Sequence, residues 1–385
     1  MKYSRYVENI KPSVTLEFNQ MALDMLNKGV NVIKLTAGEP DFPTPKIIIN
    51  AAIKAMDEGK TKYTQSSGIL PLRERISEKL LKENGLNYSP DEIVVTNGGK
   101  QAIYNTLLTI INPGNEVIIL TPSWVSYGAQ VNLCGGVPVY VKTHSDKGFI
   151  PTIENIESSL TDNTKAIIIN TPNNPTGAIY PEKVLKEIAE LARQRNLFVI
   201  SDEVYEKLAF DKEHTSIASF DGMKERCAVI NAFSKTYSMT GWRIGYVAAP
   251  REFAKTVTKI QSHQCSNVNS ISQYAAIEAF NVDITYMIDA FKERRSLVNE
   301  KLSNMNLEYV YPKGAFYFFI DIKKFLNNRL KDSLSFCKSL LEDARVGLVP
   351  GSAFEAEGSI RLSYASSLEE LNEGLNRMKD FLSGL

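Results

Sequence analysis

Ala166-Ile-Ile-Ile-Asn170, closed by Thr171-Pro-Asn-Asn-Pro-Thr-Gly177, is a short apolar run that stops abruptly on turn residues. It is too short for a helix and shows no polar alternation, so it reads as a strand buried on both faces. The same pattern recurs at Ile93 to Thr96, Val117 to Thr121, Val137 to Val141, Phe198 to Ser201, Ala228 to Asn231 and Ile244 to Ala248, with helical stretches between. Such alternation predicts an α/β fold, a mainly parallel sheet sandwiched by helices. In open sheets of this class ligands sit beyond the carboxyl ends of the strands. Asn170, Ser201-Asp202 and Asn231 to Lys235 fall at or just past such ends.

Outward from this block the pattern changes. From Ser13 to Lys28, Val14, Phe18, Met21, Ala22, Met25 and Leu26 recur at helical spacing, and Gly29 marks the stop. Asn31 to Leu35 reads as a short strand, and Thr36-Ala-Gly-Glu-Pro-Asp-Phe-Pro-Thr-Pro45 as a loop. Past residue 282, helices (Val282 to Leu302, Ser333 to Ala344, Leu368 to Leu382) alternate with short strands (Phe316 to Ile320, Val346 to Val349, Ser359 to Ser363). That is a smaller α+β unit. The 385 residues therefore divide into a 1-44 segment contributing to the small domain, a large 45-281 domain and a small 282-385 domain, joined by one long helix near 252 to 302.

Composition narrows the function classes. Forty-four basic residues balance 44 acidic ones without a block of either sign, so there is no footprint for nucleic acid or an anionic membrane. Cys134, Cys227, Cys265 and Cys337, like His144, His214 and His263, are too scattered for a disulfide framework or a metal site. Met1 to Glu8 lacks the apolar core of a signal peptide, and no apolar run approaches a membrane span. A soluble, cytoplasmic protein acting on small molecules is the expectation.

The chemistry concentrates in the run Asn231-Ala-Phe-Ser-Lys-Thr-Tyr-Ser-Met-Thr-Gly-Trp-Arg-Ile-Gly-Tyr246. Lys235 beside Ser234, with Arg243 downstream, places a reactive amine next to a phosphate site and suggests a bound aldehyde cofactor. Asn174 in Asn170-Thr-Pro-Asn-Asn-Pro-Thr-Gly177, Asp202 and Tyr205 in Ser201-Asp-Glu-Val-Tyr205, Lys235, and Arg243 in Gly241-Trp-Arg-Ile-Gly245 follow in that order. This series resembles the signature of the class I aminotransferases, pyridoxal 5'-phosphate enzymes of the aspartate aminotransferase type, and the likeness runs from about Lys11 to the last helix.

The resemblance implies a role for each residue, and the chemistry shows why that residue type is needed. Lys235 forms a Schiff base with the cofactor, is displaced by the substrate amine, and then moves a proton between Cα and cofactor. Asp202, at a strand end with little solvent, keeps the pyridine nitrogen protonated so that the ring is an electron sink. Asn174 and Tyr205 donate to the phenolate oxygen, and Asn174 can also reach the substrate carboxylate. Ser234, Arg243 and the N–H groups of Gly98-Gly99-Lys100, opening a helix from Gln101 to Ile111, surround the phosphate. Trp124 stacks on the ring. Tyr63 reaches the phosphate of a neighbouring subunit, which implies a homodimer with shared sites. Arg361, in the β-patterned Ser359-Ile-Arg-Leu-Ser363, grips the α-carboxylate, and Gly38 lets the backbone approach the same group.

Substrate choice turns on the second acidic group. Gln261-Ser-His-Gln-Cys before Ser266-Asn267 lacks the arginine that one branch of aspartate aminotransferases uses there. The chain resembles instead a bacterial branch in which Lys100, Ser13 and Thr15 would hold that carboxylate. The implied reaction is transfer of the amino group of aspartate to 2-oxoglutarate by a ping-pong route. Alternatives are amino-group exchange with aromatic acids, prephenate or alanine, and a carbon–sulfur β-lyase on the same fold. A regulatory ligand-binding domain would need a nucleic-acid-binding module, and none precedes residue 13.

Overall fold

The computed structural model describes residue 10 and residues 12–385, so the reading of Met1 to Glu8 and the outermost part of the 1-44 segment lie outside the described residues. A two-residue strand, β1 (Ile33–Lys34), precedes seven strands that form one sheet: β2 (Ile93–Thr96), β3 (Glu116–Thr121), β4 (Val137–Lys142), β5 (Thr164–Asn170), β6 (Phe198–Asp202), β7 (Cys227–Ala232) and β8 (Gly245–Ala248). Their order is β2-β8-β7-β6-β5-β3-β4, and every pair is parallel except those made by β8. The exception has a simple cause. Parallel neighbours need a crossover back to the starting end of the sheet, whereas the segment Phe233 to Ile244 returns at the end where β7 stops. That return loop carries Lys235 and Arg243 at the carboxyl ends of the strands.

Alternate residues of these strands pack into two different cores. Ile167 and Ile169 join Val95, Ile118, Val199 and Val229 on one face, while Ala166 and Ile168 join Val94, Val117, Ile200 and Ile230 on the other. Both faces are dry, which is why the strands read as continuous apolar runs. The edge strand β4 differs: Val137 and Tyr140 are exposed.

Five further short strands follow: β9 (Glu308–Tyr309), β10 (Tyr317–Asp321), β11 (Val346–Gly347), β12 (Val349–Pro350) and β13 (Ser359–Ser363). An antiparallel sheet has the order β12-β13-β10-β9, and β1 pairs in parallel with β11. The single strand expected over Val346 to Val349 is thus split at Leu348 and serves two sheets. The helix Val14–Asn27 buries Phe18 and Ala22, and Ala22 packs with Val32 and Leu341, so the N-terminal segment sits against C-terminal elements.

One expectation fails outright. The long helix near 252 to 302 is three helices, Arg251–Gln264, Ser270–Ala279 and Thr285–Asn304. Ser266 takes a left-handed backbone (φ 62°), which no helix interior accepts, and the Asn269 side chain then caps the next helix by accepting from Ser272 N at 2.9 Å. Asn281 to Ile284 make the second break. The helix expected from Gln101 begins instead at Gly98 and ends at Ile110, so both glycines lie in its first turn. Among the described residues no helix is long and apolar enough to cross a membrane.

Gly245 shows how tightly the strand ends are packed. A Cβ there would lie 2.8 Å from Asn231 O, Gly98 C and Gly99 N, all of them backbone. Gly245→Ala should therefore cost on the order of 2 kcal/mol in denaturant unfolding, as overpacking against unyielding atoms does. Gly241→Ala, with nothing within 4 Å of its new methyl, is the control and should leave the midpoint unmoved.

Candidate active site

At the carboxyl ends of β5, β6 and β7 a cavity of about 560 Å³ opens toward the Thr36–Glu39 loop. Asp202, the last residue of β6, forms part of its inner wall and is buried. Burial pushes its carboxyl up to about 6, against hydrogen bonds from Tyr127 Oη to Oδ2 (2.6 Å) and from Val204 N to Oδ1 (3.3 Å). Glu203, its chain neighbour, pushes the same way as burial, and Lys235 the other.

Asn170 locks this wall together. Its amide donates to Asp202 O at 3.0 Å, and its Oδ1 accepts from Asn174 N at 2.9 Å. Asn174 Oδ1 in turn accepts from Arg361 Nη1 at 2.9 Å, while Arg361 Nη2 donates to Thr36 O at 2.9 Å. The guanidinium lies over the Tyr317 ring at 4.4 Å, and its buried Nε has no partner among the described residues. Tyr317 Oη is also 2.9 Å from Tyr205 Oη. An arginine on a strand of the antiparallel sheet is thus fastened to the Thr36–Glu39 loop near the N-terminus and to the loop that follows β5.

Lys235 sits in the single helical turn Phe233–Thr236 that follows β7, and its ammonium donates to the Gly38 carbonyl. Burial brings it down to about 8, with Arg361 and Arg243 acting alongside and Glu39 and Asp202 opposing. At pH 7 about a tenth of such an amine is neutral. It is a usable nucleophile and base.

A third region is built for an anion. Ser234, Arg243 and Gly99 line one end of the cavity, where the helix Gly98–Ile110 presents its N-terminus. Arg243 has a left-handed backbone (φ 53°), and its Nη1 and Nη2 donate to Thr240 O (2.8 Å) and Asn97 O (3.3 Å). A Cβ on Gly98 would overlap that guanidinium. A strained, non-glycine residue held this way is a mark of functional use.

Lys100, Ser13, Thr15 and Trp124 line the same cavity. The Lys100 ammonium lies 4.9 Å above the Trp124 ring, and partial desolvation together with Arg243 holds it below the ordinary lysine range. Ser13 also caps the first helix, its Oγ accepting from Leu16 N at 3.5 Å. Tyr63 stands apart. It is 90% exposed and outside the cavity of its own chain. Every other residue singled out from the sequence is brought together here. Sequence reading placed Asn170 at a ligand-facing strand end but gave it no role, and it missed Tyr127 and Tyr317 as parts of the site, because an aromatic in a helix or a strand reads as core.

The family model "Aminotransferase class I and II" matches residues 30–378. The chain belongs to that family. An aspartate aminotransferase of Thermotoga maritima is 45% identical over 99% of both chains, and its crystal structure superposes with a TM-score of 0.95, covering 99% of this chain and 100% of that one. A probable aspartate/prephenate aminotransferase of Aquifex aeolicus is 47% identical over 98% of this chain and 97% of its own. The Thermus thermophilus aspartate aminotransferase solved with maleate has a TM-score of 0.95 at 41% identity, each chain 99% covered.

The protein is a transaminase, its cofactor is pyridoxal 5'-phosphate, and its substrates are amino acids and oxoacids. The cavity's donor set fits that cofactor. Cations and helix N–H groups stand at one end, the buried carboxylate of Asp202 on the wall and an amine in reach.

The unfavourable burial of Asp202 has a consequence in the cofactor-free protein. Its folded-state value, about 6, lies above its unfolded value of 3.8, so the folded chain binds the extra proton between those limits and the ionised group costs stability above them. Asp202→Asn should then stabilise the cofactor-free protein at pH 7 to 8 by on the order of 2 to 3 kcal/mol in denaturant unfolding. The gain should shrink as pH falls from about 6 and be nearly gone by about pH 4, below which the wild-type carboxyl is protonated in both states.

Proposed function

We propose that this aminotransferase moves the amino group of L-aspartate to 2-oxoglutarate, giving oxaloacetate and glutamate in two half-reactions at one site. The observation that carries the reading is the presence of two separate anion holders in one cavity, Arg361 and the Lys100–Ser13–Thr15 group, as a dicarboxylate requires. The names of the Thermotoga maritima and Thermus thermophilus relatives support it. Maleate, named in the latter's structure, is itself a four-carbon dicarboxylate.

When bound, pyridoxal 5'-phosphate supplies an aldehyde for the amine and a ring that takes up the electrons of the breaking Cα–H bond. Lys235 Nζ holds the aldehyde end at rest and afterwards takes the proton from the substrate Cα. Asp202 keeps the proton on the ring nitrogen. Tyr205 and the Asn174 amide, whose oxygen is already engaged by Arg361, donate to the phenolate oxygen. Ser234, Arg243, Gly99 and the Lys100 N–H hold the phosphate, with Trp124 against the ring. Arg361 takes the α-carboxylate through donors that include its unpartnered Nε, beside Gly38. Lys100, Ser13 and Thr15 take the side-chain carboxylate.

Two larger features follow from the same reading. Tyr63, exposed in the single chain, would reach the phosphate of a second copy, making the active form a homodimer with shared sites. Because Gly38 and Arg361 belong with the 1-44 and 282-385 segments, substrate would draw that small domain onto the large one (45-281) and exclude water. The absence of a membrane-spanning helix among the described residues accords with a cytoplasmic location. Prephenate as a further amino acceptor is a second reading, favoured by the name of the Aquifex aeolicus relative.

Two substitutions test the assignment. Lys100→Ala should lower kcat/KM for aspartate ten- to a hundredfold, the worth of a charged hydrogen bond, and change that for alanine little; equal losses for both would sink the acidic pocket. Lys235→Ala should abolish turnover while the phosphate end still binds cofactor. Retained transamination by that variant would overturn the role of the lysine.

A further inference from the structure

Behind Asp202, on the face of the segment Asp202-Glu-Val-Tyr-Glu206 turned away from the cavity, lies a buried charge cluster that the reaction as described does not use. Asp202, Val204 and Tyr205 line the cavity, whereas Glu203 and Glu206 do not, although both are buried. Glu206 is fully matched. It pairs with Lys79 from the helix Leu70–Asn84 and accepts from Asn84 Nδ2 at 2.8 Å. Burial would raise its carboxyl, but Lys79 and His214 hold it at about 2.

Glu203 is matched less well. Its Oε1 accepts from Ser201 Oγ (2.8 Å) and Ser216 Oγ (2.6 Å), two neutral hydroxyls. Its Oε2 lies 3.0 Å from His214 Nε2 without hydrogen-bond alignment, and among the described residues neither that oxygen nor either His214 nitrogen has any other partner. Glu206 lies within 4.8 Å of the same cluster, and the other titratable groups that feel Glu203 (Asp202, Tyr88, Cys227 and Tyr246) include no cation. The His214 side chain is only 5% exposed. Among the described residues an imidazolium is therefore the one cation in direct contact with Glu203, the Lys79 ammonium being paired with Glu206. Burial opposes that charge and so does Lys79, yet Glu203 and Glu206 outweigh both and raise the histidine above its ordinary value. The ligand atoms of Glu203, Glu206 and His214 lie within 4.8 Å of one another, but the Lys79 ammonium already supplies the second positive charge that a metal ion would bring.

The cluster matters because Glu203 acts on Asp202, making its ionised form harder to reach. We propose that His214 is a positioning residue of the transamination: as an imidazolium it offsets Glu203 and so favours the ionised Asp202 that the ring nitrogen requires. Without that proton, the bare Glu203 carboxylate works against Asp202 through the backbone they share. The inference rests on the role of Asp202 proposed above.

The test uses the holoenzymes of His214→Gln, Glu203→Gln and the double variant. Two quantities are followed against pH: kcat/KM for aspartate, and the dissociation constant of pyridoxal 5'-phosphate from titration of the cofactor-free protein. His214→Gln should move the acid limb of both profiles to higher pH by about one unit. That is the effect of a unit charge on the order of 10 Å away at an effective dielectric constant of about 20. Glu203→Gln should move it to lower pH, and the double variant should return it close to the wild-type position.

An unmoved limb in a cooperatively unfolding His214→Gln protein would overturn the proposal, as would a double variant that keeps the shift. If His214→Gln fails to fold, Glu203→Gln alone decides, since an unmoved limb there removes the coupling on which the inference stands. Asp202→Asn separates the two readings. If it leaves the pH dependence of cofactor binding unchanged, the role of Asp202 has failed; if it abolishes that dependence while His214→Gln does nothing, only the inference about His214 has.

Discussion

An ionised carboxylate at the end of a strand that is dry on both faces is an expensive thing to build, and the active site is arranged around that cost at Asp202. Among the described residues no arginine or lysine is hydrogen-bonded to it. It has instead one phenol, one backbone N–H and, at longer range, the Lys235 ammonium, so its carboxyl stays near 6. Such a group lies in wait for a positively charged partner. The protonated pyridine nitrogen proposed above would be that partner, and its arrival would recover what folding had to spend.

The same logic runs through Lys235 and Arg361. Burial lowers the lysine to about 8, and the arginine carries an unpartnered, buried Nε. Each is held in a state that the bare protein stabilises poorly and that a bound molecule would improve. Their positions come from backbone carbonyls and amides rather than from salt bridges: Gly38 O for Lys235, and Thr36 O with the Asn174 amide for Arg361. A neutral acceptor fixes a cation without cancelling its charge. The charge remains available for a carboxylate or a phosphate.

The strands, the return loop with Lys235 and Arg243, and the β-patterned arginine at position 361 were legible because each rests on local pattern. An apolar run without alternation has to be buried on two sides, and polar residues at its end have to face the only opening. Residues 252 to 302 were misread for the matching reason. They contain no Gly- or Ser-rich linker to mark a break, and the first break depends on Ser266 adopting a left-handed backbone and on Asn269 acting as a cap, neither of which local composition reveals. Ser13 shows a third case: one hydroxyl serves as helix cap and cavity lining at once.

By itself, then, the sequence determined which functional groups the protein owns and the order in which strand ends would present them, since strand burial and turn chemistry are short-range properties. Tertiary structure alone decided what those groups experience. Tyr127 reaches Asp202 across 75 positions, Arg361 meets Asn174 across 187 and Thr36 across 325, and His214 folds back against Glu203. Burial and the distance between charges set a group's protonation and reach, and neither exists until remote segments have packed together.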